Sequence, residues 1–154
     1  MGIDQDILQS KFRNEHQKAI VNLLYTYNWV TERSKELFAT EDITPQQFNI
    51  LRILRGSHPT PLSTLQIRER MLDKMSDTSR IVDRLVIKGL VKKNVCPADK
   101  RLVDISITDK GKKLLEGIDK YESEMDAFFG ELSEADAKIM NKLLDKIRGS
   151  SEAV

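Results

Sequence analysis

The 154-residue chain has little of the chemistry on which most enzymes and metal sites depend. Its single cysteine excludes an intrachain disulfide and a cysteine-based zinc site. The two histidines, His16 and His58, are not spaced as metal ligands. No glycine-rich phosphate loop is present, and no Ser/His/Asp set is evident. We therefore predict a protein that is not an enzyme and uses no cofactor or metal.

Long apolar runs are also missing. No stretch approaches the ~20 apolar residues that a membrane-spanning helix needs. The acidic start, from Met1 to Asp6, lacks the charged and apolar regions of a signal peptide. We therefore expect a cytoplasmic protein without membrane contacts. Glycine and proline are sparse, at 7 and 4 residues, and 32% of residues are charged, which favours a helix-rich fold.

Net charge is almost absent overall, at +1, but the charges are separated along the chain. From Arg80 to Arg101 there are seven cations and two anions, a net charge of +5. From Leu115 to the C-terminus there are ten acidic and five basic residues, a net charge of −5. A basic segment within a neutral chain is typical of a nucleic-acid contact surface.

The basic segment begins in a predicted amphipathic helix. Ser76 is expected to cap its start, and Gly89 to end it, with Leu90 folding back in a Schellman turn. At 100° per residue one side is apolar and belongs to the core: Thr78, Ile81, Val82 and Leu85. The opposite side is polar and able to read a major groove: Ser76, Ser79, Arg80 and Asp83, flanked by Asp77, Arg84 and Ile87. An ordinary helix with a solvated face would have the same pattern.

A two-stranded hairpin follows the helix. The run from Leu90 to Cys96 forms its first strand, and the alternating run from Leu102 to Ile107 forms its second. Asp99 in the connecting tip can accept from the guanidinium of Arg101 and hold it in one pose. A fixed arginine at a hairpin tip suits a narrow minor groove, although a solvated charged turn is the ordinary alternative.

The rest of the chain predicts helices around this unit. One long helix is expected from about Asp6 to Phe38, and a second opens at a capping box formed by Thr44 and Gln47. Ser63 is expected to cap a short third helix. Thr108 is expected to cap a long helix that reaches about Gly130, and Ser133 is expected to cap the last helix. The order predicts a mainly α fold with a small β-hairpin wing, a winged helix-turn-helix at residues 44–108.

The outer helices, at residues 6–38 and 109–148, carry apolar faces that the central unit covers only in part. We expect them to form N- and C-terminal dimerisation helices of a two-fold homodimer. Packing on their own chain alone is the alternative. A homodimer would present two reading helices to a palindromic site in double-stranded DNA, with half-sites ~10 base pairs apart.

Four blocks of the sequence together resemble the MarR family of bacterial transcription regulators. They are the run from Ser76 to Leu85, the Lys88–Val91 exit, the Asp99-Lys100-Arg101 tip and the Ile107-Thr108-Asp109-Lys110-Gly111 start of the next helix. Ile107 replaces a usual leucine, and Lys100 stands where arginine is common. The resemblance implies homodimers whose recognition helices enter major grooves and whose wings reach minor grooves, most of them repressors and some activators.

Family roles carry over to this chain by position. The resemblance implies base or nearby phosphate contacts for Ser76, Ser79 and Arg80, and a minor-groove contact for Arg101 held by Asp99. Arg84, Lys92 and Lys93 would contact phosphates. The expected DNA-binding set is Ser76, Asp77, Ser79, Arg80, Arg84, Lys92, Lys93, Asp99, Lys100 and Arg101.

Two features of the sequence are candidates for sensing a signal: a ligand crevice and Cys96. Many family members are released by small aromatic or phenolic ligands, and others by thiol oxidation. A crevice lined by Trp29, Arg33, Phe48 and Arg52 would suit a phenolic carboxylate, but the aromatics also fit the core and the arginines the solvent. Cys96 adjoins the wing, but Lys93 and Lys100 are near it only in sequence, which favours an incidental cysteine over a redox sensor.

The leading hypothesis is therefore a DNA-binding regulator, most simply a repressor. A winged-helix module whose basic face binds an acidic protein partner is the alternative, because a fold alone does not fix function. The operator, the controlled genes, the effector and the sign of regulation do not follow from the sequence.

Overall fold

The structure, a computed structural model, describes residues 2–149, which contain eight helices and two strands. Of these, residues 2–119 form one compact unit and residues 120–149 form another. The first unit contains α1 (Ile3–Asp6), α2 (Glu15–Ala39), α3 (Pro45–Ser57), α4 (Thr64–Arg70), α5 (Thr78–Ile87), β1 (Val91–Val95), β2 (Val103–Ile107) and α6 (Asp109–Asp119). The second contains α7 (Glu122–Ala127) and α8 (Glu134–Ile147).

Helix α3 is the centre of the first unit. It packs against α2, α4, α5, α6 and β2. The fully buried side chains come from several of these elements and form a continuous apolar core: Ile50, Leu51, Leu54, Ile67, Val82, Leu85, Ile105 and Leu115.

The hairpin is antiparallel, with Val91 opposite Ile107, Lys93 opposite Ile105 and Val95 opposite Val103. Ile105 and Ile107, alternate residues of β2, are buried, as the alternation of its sequence predicts. Leu62, which lies outside the hairpin, exchanges backbone hydrogen bonds of 2.9 and 2.8 Å with Ile105. This bridge attaches the hairpin to the chain just before α4 and satisfies backbone groups in the core.

Local capping signals correctly predicted the starts of α3, α4 and α8. Thr44 and Gln47 form a reciprocal capping box at α3, with Pro45 at its first position. Equivalent boxes begin α4 at Ser63 and α8 at Ser133. Each box satisfies free N–H groups of a first turn, which is why sequence alone locates these ends.

The prediction of one helix from about Asp6 to Phe38 was wrong. The chain forms the short α1, leaves helical geometry, and restarts at α2. Asn14 caps α2 by accepting from the N–H of Gln17 at 2.9 Å. An asparagine side chain that bonds the backbone competes with a continuous helix, and the Asn14-to-Gln17 spacing was the missed signal.

The prediction of one helix from Thr108 to about Gly130 was also wrong. Helix α6 ends at Asp119, and α7 begins at Glu122. The guanidinium of Arg55 on α3 donates to both carboxylate oxygens of Asp119, at 2.7 and 3.1 Å. This pair fastens the end of α6 to the core, and no proline marks the break.

The order of helices and hairpin is that of a mainly α winged helix-turn-helix, as predicted. Within residues 2–149 no helix is long and apolar enough to cross a membrane.

Candidate nucleic-acid interface

Helix α5 begins one residue later than the sequence predicted. Its cap is Asp77, whose carboxylate accepts from the N–H of Arg80 at 3.2 Å. The expected cap, Ser76, instead donates its hydroxyl to the carbonyl of Asp73 at 2.7 Å. A carboxylate is a good cap and favours the positive end of the helix dipole, so Asp77 replaces the serine in this role. Ser76 therefore belongs to the turn that leads into the helix.

The two faces of α5 are separated as predicted. Thr78, Val82 and Leu85 are buried, and Ile81, also predicted on the apolar side, is half-buried. The exposed side chains include Ser79, Arg80, Asp83 and Arg84, and Ser76 is partly exposed beside them. Hydroxyl, guanidinium and carboxylate groups on one exposed face can donate to and accept from base edges.

Thr78 has an unusual environment for a polar side chain. It is 3% exposed, and within the described residues its hydroxyl has no hydrogen-bond partner. A buried hydroxyl without a partner costs about 1–3 kcal/mol relative to an apolar group of the same shape. Thr78 is therefore a core residue, as its helical position predicted, and carries a local cost.

Replacing Thr78 with valine should raise the free energy of unfolding by about 1 kcal/mol, because a methyl group replaces the unpartnered hydroxyl at similar volume. Urea unfolding followed by circular dichroism measures the change. Thr108→Val is the matched control, since the Thr108 hydroxyl donates to the Gly89 carbonyl and accepts from the Gly111 N–H. The control should lose about 1–2 kcal/mol. Destabilisation of Thr78→Val would indicate a hidden partner.

The turn from α5 into the wing is clamped by the start of α6. Gly89 adopts φ +72°, and the N–H of Leu90 donates to Leu85, which completes the predicted Schellman end. The Lys110 ammonium donates to the carbonyl of Lys88 at 2.9 Å. The Thr108 hydroxyl donates to the carbonyl of Gly89 at 2.7 Å, and the Thr108 N–H donates to the carbonyl of Leu90 at 3.1 Å. The Thr108-Asp109-Lys110-Gly111 block thus fixes the exit of the helix.

The tip of the wing holds its arginine in one pose. The Arg101 guanidinium donates to both carboxylate oxygens of Asp99 at 3.0 Å, and the Arg101 N–H donates to the same carboxylate. The Arg101 side chain remains 91% exposed. Hydrogen bonds from the guanidinium, and then from the N–H, lower the pKa of Asp99 from 3.8, and the same carboxylate raises the pKa of Arg101. The predicted Asp99–Arg101 pair is present.

The lowered pKa of Asp99 gives a pH expectation. Because its folded-state value is below the ordinary 3.8, the pair is fully formed above that pH and is lost as pH falls through the lowered value. In an NMR titration Asp99 should titrate below 3.8 in the wild type and move up towards it in Arg101→Ala. Lys100→Ala should leave the titration unchanged. An unmoved Asp99 in Arg101→Ala would contradict the pairing.

The four residues expected to line a ligand crevice form two cation–π pairs. The Arg33 guanidinium lies 3.9 Å from the Trp29 ring on α2, and that of Arg52 lies 5.8 Å from the Phe48 ring on α3. Phe48 also stacks on Phe38 of α2, at 4.5 Å between ring centres. The Phe38–Phe48 stack therefore helps to join α2 to α3, while Arg33 and Arg52 remain exposed.

Cys96 lies where β1 meets the wing tip. It is a free, half-buried thiol. Its backbone N–H donates to the carbonyl of Leu102 at 2.9 Å and so helps to close the tip. This backbone role is independent of the thiol.

Comparison with known proteins agrees with this geometry. The model of the MarR family matches residues 43–103. The HTH-type transcriptional regulator MhqR of Bacillus subtilis is 25% identical over 131 residues, which are 84% of this chain and 89% of MhqR. The crystal structure of a MarR transcription factor from Planctomyces limnophilus is 30% identical, with a TM-score of 0.67 over 88% of this chain and 98% of that one.

A third relative shows likeness of fold. It is BpsR of Bordetella bronchiseptica, whose structure addresses the regulation of its DNA binding by 6-hydroxynicotinic acid. BpsR is 20% identical to this chain, and the two superpose with a TM-score of 0.76 over 92% of this chain and 100% of BpsR. Members of the MarR family are transcription regulators and not enzymes. The chain belongs to the MarR family of DNA-binding transcription regulators, as its sequence motifs indicated.

Proposed function

We propose that this protein is a sequence-specific repressor that binds a palindromic operator as a homodimer. The observation that carries the proposal is the exposed polar face of α5 beside an Arg101 that Asp99 holds at the wing tip. A dimer bound across a promoter would exclude RNA polymerase from the same DNA.

Each part of this surface has a proposed contact. Ser76, Ser79 and Arg80 meet base edges or adjacent phosphates in the major groove. Arg101 enters the minor groove, where the potential is most negative, and Lys100 adds charge beside it. Asp77 caps the reading helix, and Arg84 and Lys92 contact phosphates.

The outer helices, within residues 6–38 and 109–148, are the proposed dimerisation region. The proposed DNA-binding unit is residues 44–108. Large apolar side chains on α2 are exposed, including Ile20 at 59%, Leu24 at 58% and Tyr27 at 65%. On α8, Ile139 and Ile147 are 57% and 69% exposed. Burying such surfaces against a second copy is the usual solution for a soluble protein.

A small aromatic acid is the proposed effector. The Trp29–Arg33 and Phe48–Arg52 pairs offer aromatic faces and cations, which suit a phenolic carboxylate. Ligand binding near α2 and α3 would release DNA by favouring a different arrangement of the reading helices. A thermal shift with salicylate is the first test, and Arg33→Ala with Arg52→Ala should abolish any shift seen.

A gel-shift assay with the promoter of the neighbouring gene tests the proposed function. The protein should form a complex that a scrambled duplex does not displace. The logarithm of affinity should fall linearly with the logarithm of salt concentration. Equal affinity for promoter and scrambled duplex would contradict sequence-specific regulation.

A further inference from the structure

Two adjacent lysines of the wing face opposite sides of the hairpin. Lys93 stands opposite Ile105, which is fully buried, so its stem lies on the inward face of the sheet. Lys92 stands opposite Ser106 on the outward face and is exposed. The family resemblance assigned both to phosphate contacts, and both residues are exposed, but their side chains leave opposite faces of the hairpin.

The ammonium of Lys93 is already engaged. It lies 2.9 Å from a carboxylate oxygen of Asp83, on the exposed side of α5. The Lys93 side chain is 31% exposed and that of Asp83 is 58% exposed. The ion pair therefore joins the reading helix to the first strand of the wing.

This ion pair spans a short backbone connection. Between the end of α5 at Ile87 and the start of β1 at Val91 the chain turns through Gly89, a residue with φ +72° and little intrinsic stiffness. A side-chain link across the turn adds to the clamp that the start of α6 already forms at the exit of the helix. The ion pair lies away from the turn itself, so it further restricts the angle between the helix and the wing.

The pair also changes the electrostatics of the reading face. Asp83 is an anion one turn from Arg80, on the face that the proposed function brings to DNA. Alone it would repel phosphates, and at 2.9 Å the Lys93 ammonium neutralises it.

We propose that Asp83 and Lys93 form a positioning pair that sets the angle between reading helix and wing, with Lys93 as the counter-ion of Asp83 and not a phosphate contact. The inference rests on the proposed DNA-binding function. It makes Asp83 a determinant of specificity, although an anion is an unexpected residue at a DNA-facing surface.

The test is a double-mutant cycle on DNA binding. The variants are Asp83→Asn, Lys93→Met and their combination, with Lys92→Met as the matched control and Lys93→Arg as the conservative rescue. One probe is a duplex that the wild type selects from a randomised pool, and the other is its scrambled counterpart. Affinity for both probes is measured across a salt series, and thermal melts check that each variant folds.

The proposal expects a loss of discrimination. Each single change should lower the ratio of selected to scrambled affinity about fivefold, the upper range for an exposed ion pair. The double variant should be no worse than either single, and Lys93→Arg should keep the ratio. Lys92→Met should weaken both probes alike and reduce the salt slope by about 0.9.

A different pattern would overturn it. If Lys93→Met behaves like Lys92→Met while Asp83→Asn strengthens binding to both probes additively, Lys93 is a phosphate contact. If the wild type selects no sequence from the pool, the proposed function fails and the pair has no specificity to set. The two failures are distinguished by the wild-type selection alone.

Discussion

Replacing Gly111 with alanine is expected to destabilise the protein by about 3 kcal/mol, at the upper end for overpacking a core. A Cβ at this position would lie 2.4 Å from the Leu90 carbonyl oxygen and 2.7 Å from the Ile107 side chain. The backbone oxygen cannot move away, because it accepts the Thr108 N–H in the clamp at the end of α5. The change should therefore also displace the exit of the reading helix and reduce DNA affinity.

Gly117→Ala is the matched control in the same helix. A Cβ there would meet a flexible Glu41 oxygen at 3.6 Å, an ordinary contact. Alanine favours a helix over glycine by about 1 kcal/mol, so this variant should gain stability. Urea unfolding of both variants gives the comparison. Equal stability of the two would show that α6 can move away from Leu90 at little cost.

Replacing Arg80 with alanine is expected to weaken operator binding by about 1–3 kcal/mol and to relax base preference at one position of the half-site. Arg80 is exposed on α5, and its backbone N–H is fixed by the Asp77 cap. A fixed helix start places the guanidinium reproducibly, as a base contact needs. Selection from a randomised duplex pool, followed by titration, measures both effects.

Arg101→Ala is the comparison variant for this experiment. It should weaken binding without changing major-groove preference, because a minor-groove arginine reads shape and potential. Arg101→Lys should restore only part of the affinity, since lysine cannot form the two-oxygen contact that Asp99 gives the guanidinium. If Arg80→Ala and Arg101→Ala alter affinity and preference alike, the division between groove contacts is wrong.

Local signals in the sequence predicted much of the fold and one central piece of the site. The capping boxes of α3, α4 and α8, the stop at Gly89 and the Asp99–Arg101 pair all join residues only a few positions apart. Such contacts depend on backbone geometry that neighbouring residues already share, so their spacing is sufficient evidence. Two local signals were misjudged: the Asn14 cap of α2, and Asp77, where two adjacent capping residues competed and the sequence favoured Ser76.

The sequence by itself determined the family, the order of elements in the winged helix-turn-helix and the polar face of the reading helix. Only the tertiary structure decided that Leu62 pairs with Ile105, that Arg55 holds Asp119, and that the start of α6 clamps the carbonyls at the end of α5. It also decided that Lys93, on the face of the hairpin opposite to Lys92, pairs with Asp83. The reason is distance along the chain, because these partners lie 10 to 64 residues apart. Packing around the core brings them together, and no local sequence pattern predicts such contacts.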